Sequence, residues 1–300
     1  MKALDMSNQA NPFDIERYKQ RRDAILTHPE VVNFVSDHHM TDVQVNRSLS
    51  KFSEYITESK KYAIGDAAYV AKGYRPVLIM NEGYADVVYQ ETEGLRSARH
   101  EQAVRNRIRL MGLPNSLKAI TTEDLDTKDE NRLPALSYIK DVIKQSPEAI
   151  KGLYLYGNFG VGKSYLMAYM AQRLSRQKAL ATTMVHVPTF IMDLKKGFED
   201  NTTAEQVMSV KTAEILVLDD IGAETPTAWV RDAILQVILQ YRMQENLLTF
   251  FTSNLSMREL ERYYADTRSG NGDWEAKRLM ERITYLAQEM PLKGVNRRHE

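Results

Sequence analysis

Apolar positions in the first part of the chain recur mainly at helical spacing. The stretch NPFDIERYKQRRDAILTHPEVVNFVSDHH has this pattern, and Asn11 or Asp14 can cap its start. Pro29 is expected to divide it into two helices. The stretch TDVQVNRSLSKFSEYITESKKY predicts a further helix, because its apolar side chains repeat at the same spacing: Leu49, Phe52, Tyr55 and Ile56.

The pattern then changes in GYRPVLIMNEGYADVVYQET. Gly, Pro and Asn separate two runs of β-branched and aromatic residues, which is typical of a β-hairpin. The basic stretch EGLRSARHEQAVRNRIRLMG returns to helical spacing and ends at Gly112. Residues 113–134 are polar and rich in turn formers, which predicts a linker. We therefore expect residues 1–112 to form an N-terminal domain and residues 135–300 a second domain.

Short apolar runs separated by helical segments characterise the second half. The predicted strands are GLYLY, TTMVHV, EILVLD and LLTFFTSN. An amphipathic helix, LPALSYIKDVIKQSPEAIKG, precedes them, and a helical region with a glycine-rich break at 269–272 follows. Alternating strands and helices indicate an α/β fold with a central parallel sheet flanked by helices. The N-terminal domain is expected to be smaller and mostly helical, with the hairpin.

Composition narrows the possible functions. The chain has 300 residues, of which 43% are hydrophobic, so two folded domains are expected. Lys+Arg and Asp+Glu are both 40, so any contact with DNA has to be local. The chain has no cysteine and therefore no disulfide. It shows no secretory signal and no apolar run of about 20 residues, so a cytoplasmic location is expected.

The segment GNFGVGKS matches the pattern GxxxxGK[ST] between a predicted strand and a predicted helix. In this setting the backbone amides of the loop and the helix N-terminus bind phosphate groups. Lys163 is expected to reach the β- and γ-phosphates, and Ser164 to offer a hydroxyl to Mg²⁺. The predicted nucleotide contacts are Gly157, Asn158, Phe159, Gly160, Val161, Gly162, Lys163, Ser164 and Tyr165.

Polar residues end two of the later strands. Asp219 and Asp220 close ILVLDD, and they are predicted to hold Mg²⁺ and to orient or activate the attacking water, respectively. Asn254 follows TFFTS at the next strand end. Strand carboxyl ends form the ligand edge of such sheets. Asn254 is therefore predicted to contact the γ-phosphate and the attacking water.

Four arginines near the end of the chain are further candidates. Arg278 and Arg282 lie one helical turn apart, and Arg297 and Arg298 stand in GVNRRHE. An arginine supplied across a subunit boundary can complete a phosphate site. A solvated charged face explains the same spacing, so the pattern alone leaves both interpretations open.

Taken together, these segments resemble the AAA+ ATPases, and within them the bacterial replicative-helicase loaders of the DnaC/DnaI family. The resemblance rests on GLYLYGNFGVGKSYLM, LVLDDIGAETPTAWVRD, TFFTSN, AKRLMERITYLA and GVNRRH, and it extends to RSLSKFSEYITESK and GYRPVL. It implies ATP and Mg²⁺ as cofactors and an N-terminal domain that holds the hexameric replicative helicase. It also implies an AAA+ domain that binds single-stranded DNA and self-associates with ATP bound.

The resemblance also suggests roles for individual residues. Arg282 matches the arginine finger that acts on a neighbouring subunit's nucleotide, and Arg297 or Arg298 matches the second sensor. An aromatic side chain such as Phe198 suits stacking on unpaired bases, although a core position suits it equally. The predicted DNA contacts are Phe198, Thr227, Lys195 and Lys196.

Two departures from the family pattern matter. Many AAA+ proteins have Glu as the second acid, whereas this chain has the shorter Asp220, which predicts slow, partner- or DNA-regulated hydrolysis. Family N-terminal modules can carry a zinc site with Cys and His ligands. This chain has no cysteine, and Arg75 stands near the expected His, so no zinc is predicted. Packing is expected to replace the metal, through Tyr62, Tyr69, Tyr74, Val77, Ile79 and Val88.

The predicted function is ATP-dependent loading of the replicative helicase onto single-stranded DNA during initiation or restart of replication. An ATPase helper of DNA transposition is an alternative, but the N-terminal module resembles the loaders. An adaptor that binds ATP with little hydrolysis is another, because Asp220 is compatible with it. A small-molecule kinase is disfavoured because no arginine-rich lid follows LVLDD.

Overall fold

A computed structural model of the chain describes residues 12–125, 127, 129–146, 149–197, 202–267 and 270–297. The chain divides into two compact units, Met1–His100 and Glu101–Glu300. The predicted domain limits, 1–112, 113–134 and 135–300, stay predictions. In the described residues, no helix is both long enough and apolar enough to cross a bilayer.

Three helices begin the first unit: α1 Pro12–Leu26, α2 Pro29–Asp37 and α3 Asp42–Ala63. Pro29 stands at the start of α2, where its missing amide hydrogen costs no helical hydrogen bond, so the predicted break is confirmed. Thr41 caps α3 in a capping box with Gln44. The helical prediction for this part of the chain is therefore correct.

The predicted hairpin is present as β1 Tyr74–Asn81 and β2 Tyr84–Glu91, paired antiparallel. Glu82 and Gly83 connect the strands with φ angles of 49° and 86°. Two successive positive φ angles match the twist that tight hairpins require. One face of the hairpin packs on α3, and the core of this unit contains Val31, Phe34, Val45, Phe52 and Ala85.

Only some of the side chains that we predicted to stabilise this unit by packing are buried. Tyr69 is buried, and its hydroxyl donates to the Tyr74 carbonyl at 2.9 Å. Tyr62, Ile79 and Val88 are exposed. Ile79 and Val88 lie on the face of the hairpin opposite to Leu78 and Met80, which pack against the core. The absence of zinc stays a prediction.

Helix α4, Glu93–Asn106, ends earlier than the sequence pattern predicted. The expected continuation to Gly112 was wrong, because Ile108–Met111 forms a strand, β3, that pairs in parallel with a strand of the large sheet. The sequence did not indicate this strand because four residues are too few to show the two-residue period of a strand, and because a basic helical stretch precedes them. In the predicted linker that follows, Ile120 and Leu125 are buried against the second unit's core.

The second unit contains a six-stranded parallel sheet. The four predicted strands are confirmed as β4 Gly152–Tyr156, β5 Thr182–His186, β6 Ile215–Asp219 and β7 Thr249–Ser253. An edge strand, β10 Ala287–Pro291, was not predicted. The strand order is β10-β4-β7-β6-β5-β3, so the loops after β4, β6 and β7 meet at one edge.

Helices cover both faces of this sheet, as predicted. Alternate side chains of each strand enter the two cores: Leu153 and Leu155 face one, and Tyr154 faces the other. The helices are α5 Leu133–Lys144, α6 Lys163–Lys178, α7 Val187–Lys196, α8 Thr203–Lys211, α9 Gln236–Gln244, α10 Met257–Ala265 and α11 Asp273–Leu286. A π-helical segment, Trp229–Leu235, precedes α9, and a short pair, β8 Asp266–Thr267 and β9 Gly270–Asn271, precedes α11.

Candidate functional site

The predicted phosphate loop connects β4 with α6. Gly157 approaches the main chain so closely that a Cβ there would lie 2.1 Å from the Leu292 carbonyl oxygen. Gly162 has a φ of 94°, a conformation that costs a larger residue free energy. Helix α6 begins directly after it, so the first amides of the helix point into the loop. This geometry suits an anion.

Lys163 anchors the centre of the site. Its Nζ donates to the carbonyl oxygens of Gly157 at 2.8 Å and Asn158 at 2.9 Å, and to Oδ1 of Asn254 at 2.7 Å. The side chain is buried. The lysine of the phosphate loop and the polar residue at the end of β7 are therefore in direct contact, although 91 positions separate them.

Asp219 occupies the carboxyl end of β6 and is 2% exposed. The Thr252 hydroxyl donates to its Oδ1 at 2.7 Å. Burial raises the pKa of Asp219, and hydrogen bonds with Ser164 and Thr252 oppose that rise. A carboxylate that shares this environment with the Ser164 hydroxyl offers the oxygen ligands that Mg²⁺ prefers.

Asp220 follows with a φ of 57°, the left-handed region. The side-chain amide of Asn254 donates to its Oδ1 at 2.8 Å. Nε2 of His186 lies 3.9 Å from its other oxygen, and Nδ1 of His186 is 2.8 Å from the Thr189 hydroxyl. The chain of contacts Lys163–Asn254–Asp220 thus links the start of α6 with the ends of β7 and β6.

A cavity of about 600 Å³ opens between these elements. This volume is in the range of small-molecule sites. Of the predicted residues, it is lined by Phe159, Gly160, Gly162, Lys163, Ser164, Tyr165, Asp219, Asp220, Asn254 and Arg297. The structure adds residues that the sequence did not indicate: Gly112, Leu113, Pro114, Leu117, Asp124, Arg132 and His186. The lining combines apolar side chains, among them Leu113, Pro114 and Leu117, with the charged side chain of Lys163, a combination that suits a base and its phosphates.

Arg297 lies beside the phosphate loop. Its amide donates to the Gly160 carbonyl oxygen at 3.0 Å, and its guanidinium contacts Oδ2 of Asp129 at 3.1 Å. Arg298, the other candidate, lies outside the described residues. The role of second sensor stays a prediction for either residue.

Arg282 lies on α11, outside the set of side chains that line the cavity in the described part of the chain. Its Nε donates to Oε1 of Gln240 at 2.7 Å, and its guanidinium also contacts the Arg278 carbonyl. Burial, with help from Arg278, lowers the pKa of Arg282. An arginine finger at this position would have to act on the nucleotide of another copy of the chain. This role of Arg282 stays a prediction.

The predicted DNA contacts are spread over two elements. Lys195 and Lys196 are exposed in the last turn of α7. The Thr227 hydroxyl accepts from the Val230 amide at 3.2 Å, at the start of the π-helical segment. Phe198 lies outside the described residues. DNA contact by these four residues stays a prediction.

Two family models match the chain. Residues 1–89 match the model described as primosomal protein DnaI N-terminus. Residues 80–300 match the model described as IstB-like ATP binding protein. The chain is also similar to the replicative helicase loader DnaI of Bacillus subtilis strain 168, with 36% identity over 293 residues, 95% of this chain and 94% of that protein.

Solved structures match a large part of the chain. A candidate primosome component from Streptococcus pyogenes serotype M3 is 47% identical, with a TM-score of 0.56 over 65% of this chain and 98% of that chain. The crystal structure of the DnaI is 36% identical, with a TM-score of 0.56 over 65% and 99%. The DnaC helicase loader, at 24% identity and a TM-score of 0.50 over 60% and 100%, supports the fold alone.

Proposed function

Because the chain belongs to the DnaI family of replicative helicase loaders, we propose that it loads the replicative DNA helicase onto single-stranded DNA in an ATP-dependent manner. The observation that carries the ATP-dependent part is the contact chain Lys163–Asn254–Asp220, which joins the start of α6 to the ends of β7 and β6. The helicase-loading part is supported by the N-terminal match over residues 1–89, which also makes a transposition helper the less supported alternative. Initiation and restart of replication in the cytoplasm are the proposed setting.

Ser164 and Asp219 are the residues proposed to hold Mg²⁺ with the nucleotide. When bound, the ion neutralises charge on the β- and γ-phosphates. Lys163 holds the same phosphates from the loop side, and the helix N-terminus of α6 adds its amides. Among the predicted contacts, Tyr165 and Phe159 line the cavity beside the loop.

Asp220 is proposed to orient or activate the attacking water, with Asn254 as the sensor that links it to Lys163. The aspartate is one methylene shorter than glutamate, so its carboxylate reaches the water less well. We propose slow hydrolysis that DNA or the helicase accelerates. Such an ATPase suits a switch, because loss of the γ-phosphate removes a ligand that favours the assembled state.

Self-association through the second unit is proposed to bring Arg282 to the nucleotide of a neighbouring copy. An Arg282→Ala protein is expected to keep its ATP affinity within about twofold and to lose hydrolysis by about 10³-fold, because an arginine finger acts on the transition state. Phosphate-release kinetics and nucleotide titration measure the two effects. Lys277→Ala, at an exposed position of the same helix, is the matched control and should stay near wild type.

Mixing provides the stricter check on Arg282. A Lys163→Ala chain has an intact Arg282, and an Arg282→Ala chain has an intact phosphate loop. A mixture of the two should recover part of the hydrolysis that each lacks alone. Normal turnover by Arg282→Ala alone would contradict a finger that acts between copies.

Single-stranded DNA is proposed to contact the second unit near Lys195 and Lys196, with Thr227 and Phe198 as further contacts. The two lysines are exposed, which a phosphate contact requires. Binding through lysine and phosphate weakens as salt rises. Base stacking by an aromatic residue would add affinity without sequence preference.

The N-terminal unit is proposed to hold the hexameric helicase. Size-exclusion chromatography of the full chain with its replicative helicase is expected to give a joint peak, and ATP is expected to change its stability relative to ADP or no nucleotide. The full chain without helicase and the helicase alone are the controls. Failure to form a complex in all three nucleotide conditions would refute helicase loading.

A further inference from the structure

The turn after β6 carries Asp220 in an unusual backbone conformation. Asp220 has a φ of 57° and Gly222 one of 87°, and the Ala223 amide closes the turn on the Asp220 carbonyl at 3.2 Å. A left-handed non-glycine residue persists only where the surrounding structure holds it. The position of the Asp220 carboxylate therefore depends on what fixes residues 220–224.

One side of this turn is fixed by β7. The Asp220 amide donates to the Thr252 hydroxyl at 2.9 Å, and the Ile221 amide donates to the Thr252 carbonyl at 3.0 Å. The Ser253 hydroxyl donates to the Ile221 carbonyl at 2.6 Å. These contacts hold the beginning of the turn and leave its end to other groups.

Glu224 fixes the other side. Its side chain is buried, and its Oε2 accepts the Gly222 amide at 3.0 Å. Its Oε1 accepts the hydroxyl of Tyr264, which is fully buried on α10, and the Tyr263 hydroxyl donates to the Glu224 carbonyl. Burial raises the pKa of Glu224, and the hydrogen bond from Tyr264 opposes that rise.

A buried carboxylate whose hydrogen-bond donors are a neutral hydroxyl and an amide is a poor way to stabilise a fold, because desolvation of the charge is costly. The Glu224 carboxylate instead fixes the geometry of the turn. One of its oxygens accepts a hydrogen bond from the turn and the other accepts one from α10, so the turn cannot shift without breaking a buried hydrogen bond.

We infer that Glu224 is a positioning residue for ATP hydrolysis, which holds the turn so that Asp220 faces the γ-phosphate. It acts through the backbone of residues 220–224 and does not touch the nucleotide cavity. The inference rests on the proposed hydrolytic role of Asp220. It predicts a defect in turnover without a matching defect in ATP binding.

The test compares Glu224→Ala with Glu224→Gln in the full chain. Glu224→Ala is expected to lower kcat for ATP hydrolysis by about tenfold or more while the ATP Kd stays within about twofold. Glu224→Gln is expected to stay within about threefold of wild type, because its amide oxygen can accept the Gly222 amide and its amide nitrogen can donate to the Tyr264 hydroxyl. Glu245→Ala, at an exposed position, is the control.

The outcomes distinguish failure of the proposed function from failure of the positioning role of Glu224. A wild-type chain that binds ATP but never hydrolyses it, even with helicase and DNA, contradicts the proposed function. A hydrolytically active wild type with a Glu224→Ala variant of equal kcat overturns the positioning role. So does a Glu224→Gln variant as slow as the alanine variant, or a parallel loss of kcat and ATP affinity.

Tyr264→Phe keeps the test available if Glu224→Ala does not fold. It removes only the hydroxyl that contacts Oε1 of Glu224 and leaves the buried ring in place. The same separation is expected, with a lower kcat and an unchanged ATP Kd. A folded Tyr264→Phe protein with wild-type kcat would count against the inference.

Discussion

A Lys163→Ala protein is expected to bind ATP much more weakly and, as a result, to weaken the ATP-dependent behaviour of the helicase complex. Nζ of Lys163 is the positive charge at the centre of the loop, and hydrogen bonds to charged groups contribute about 1.5–3 kcal/mol each. The ATP Kd should therefore rise by roughly 10- to 100-fold. Hydrolysis should fall further, by on the order of 10²-fold or more.

Lys151→Ala is the matched control for this change. Lys151 is an exposed lysine directly before β4, so its replacement removes the same charge without touching the cavity. Titration with a fluorescent ATP analogue and chromatography with the helicase measure the two consequences. Wild-type nucleotide affinity in Lys163→Ala would show that the loop does not bind phosphate through this residue.

The central part of the fold could be predicted from the sequence because its strands are buried on both faces. The strands β4 and β6 read as nearly continuous apolar runs, and β5 and β7 have short apolar runs next to Thr, which is the pattern of a covered parallel sheet. The edge strands lack this signal. Ile108–Met111 has only four residues, and Ala287–Pro291 contains Gln and Glu, so only their pairing partners define them as strands.

Some residues of the site can be predicted from short sequence motifs, whereas others are brought there only by the packing of distant segments. The residues of the phosphate loop, Asp219 and Asp220 follow from spacing within short segments. His186 does not, because its approach to Asp220 results from the register of β5 on β6, in which His186 pairs with Asp219. Glu224 and Tyr264 are 40 positions apart, and only the packing of α10 brings them together.

The second large effect is expected from changing the length of the acidic side chain at position 220, which should change the rate of ATP hydrolysis. An Asp220→Glu protein is expected to hydrolyse ATP about tenfold faster than wild type without helicase or DNA, because the added methylene brings the carboxylate closer to the attacking water. Asp220→Asn is expected to lower hydrolysis by at least about 10²-fold, since an amide cannot accept the proton. In both variants the ATP Kd should stay within about twofold, because Lys163 and the loop amides remain.

Single-turnover phosphate release measures these hydrolysis rates. Thermal unfolding shows whether a substitution introduces backbone strain at residue 220. Asp220 has a φ of 57°, a conformation that Asn tolerates better than Glu, so a lowered Tm in Asp220→Glu alone would point to strain at this residue. A stable Asp220→Glu protein with unchanged turnover would show that carboxylate reach does not limit hydrolysis. If Asp220→Asn also loads helicase normally while Lys163→Ala does not, ATP binding alone drives loading and the chain acts as an adaptor.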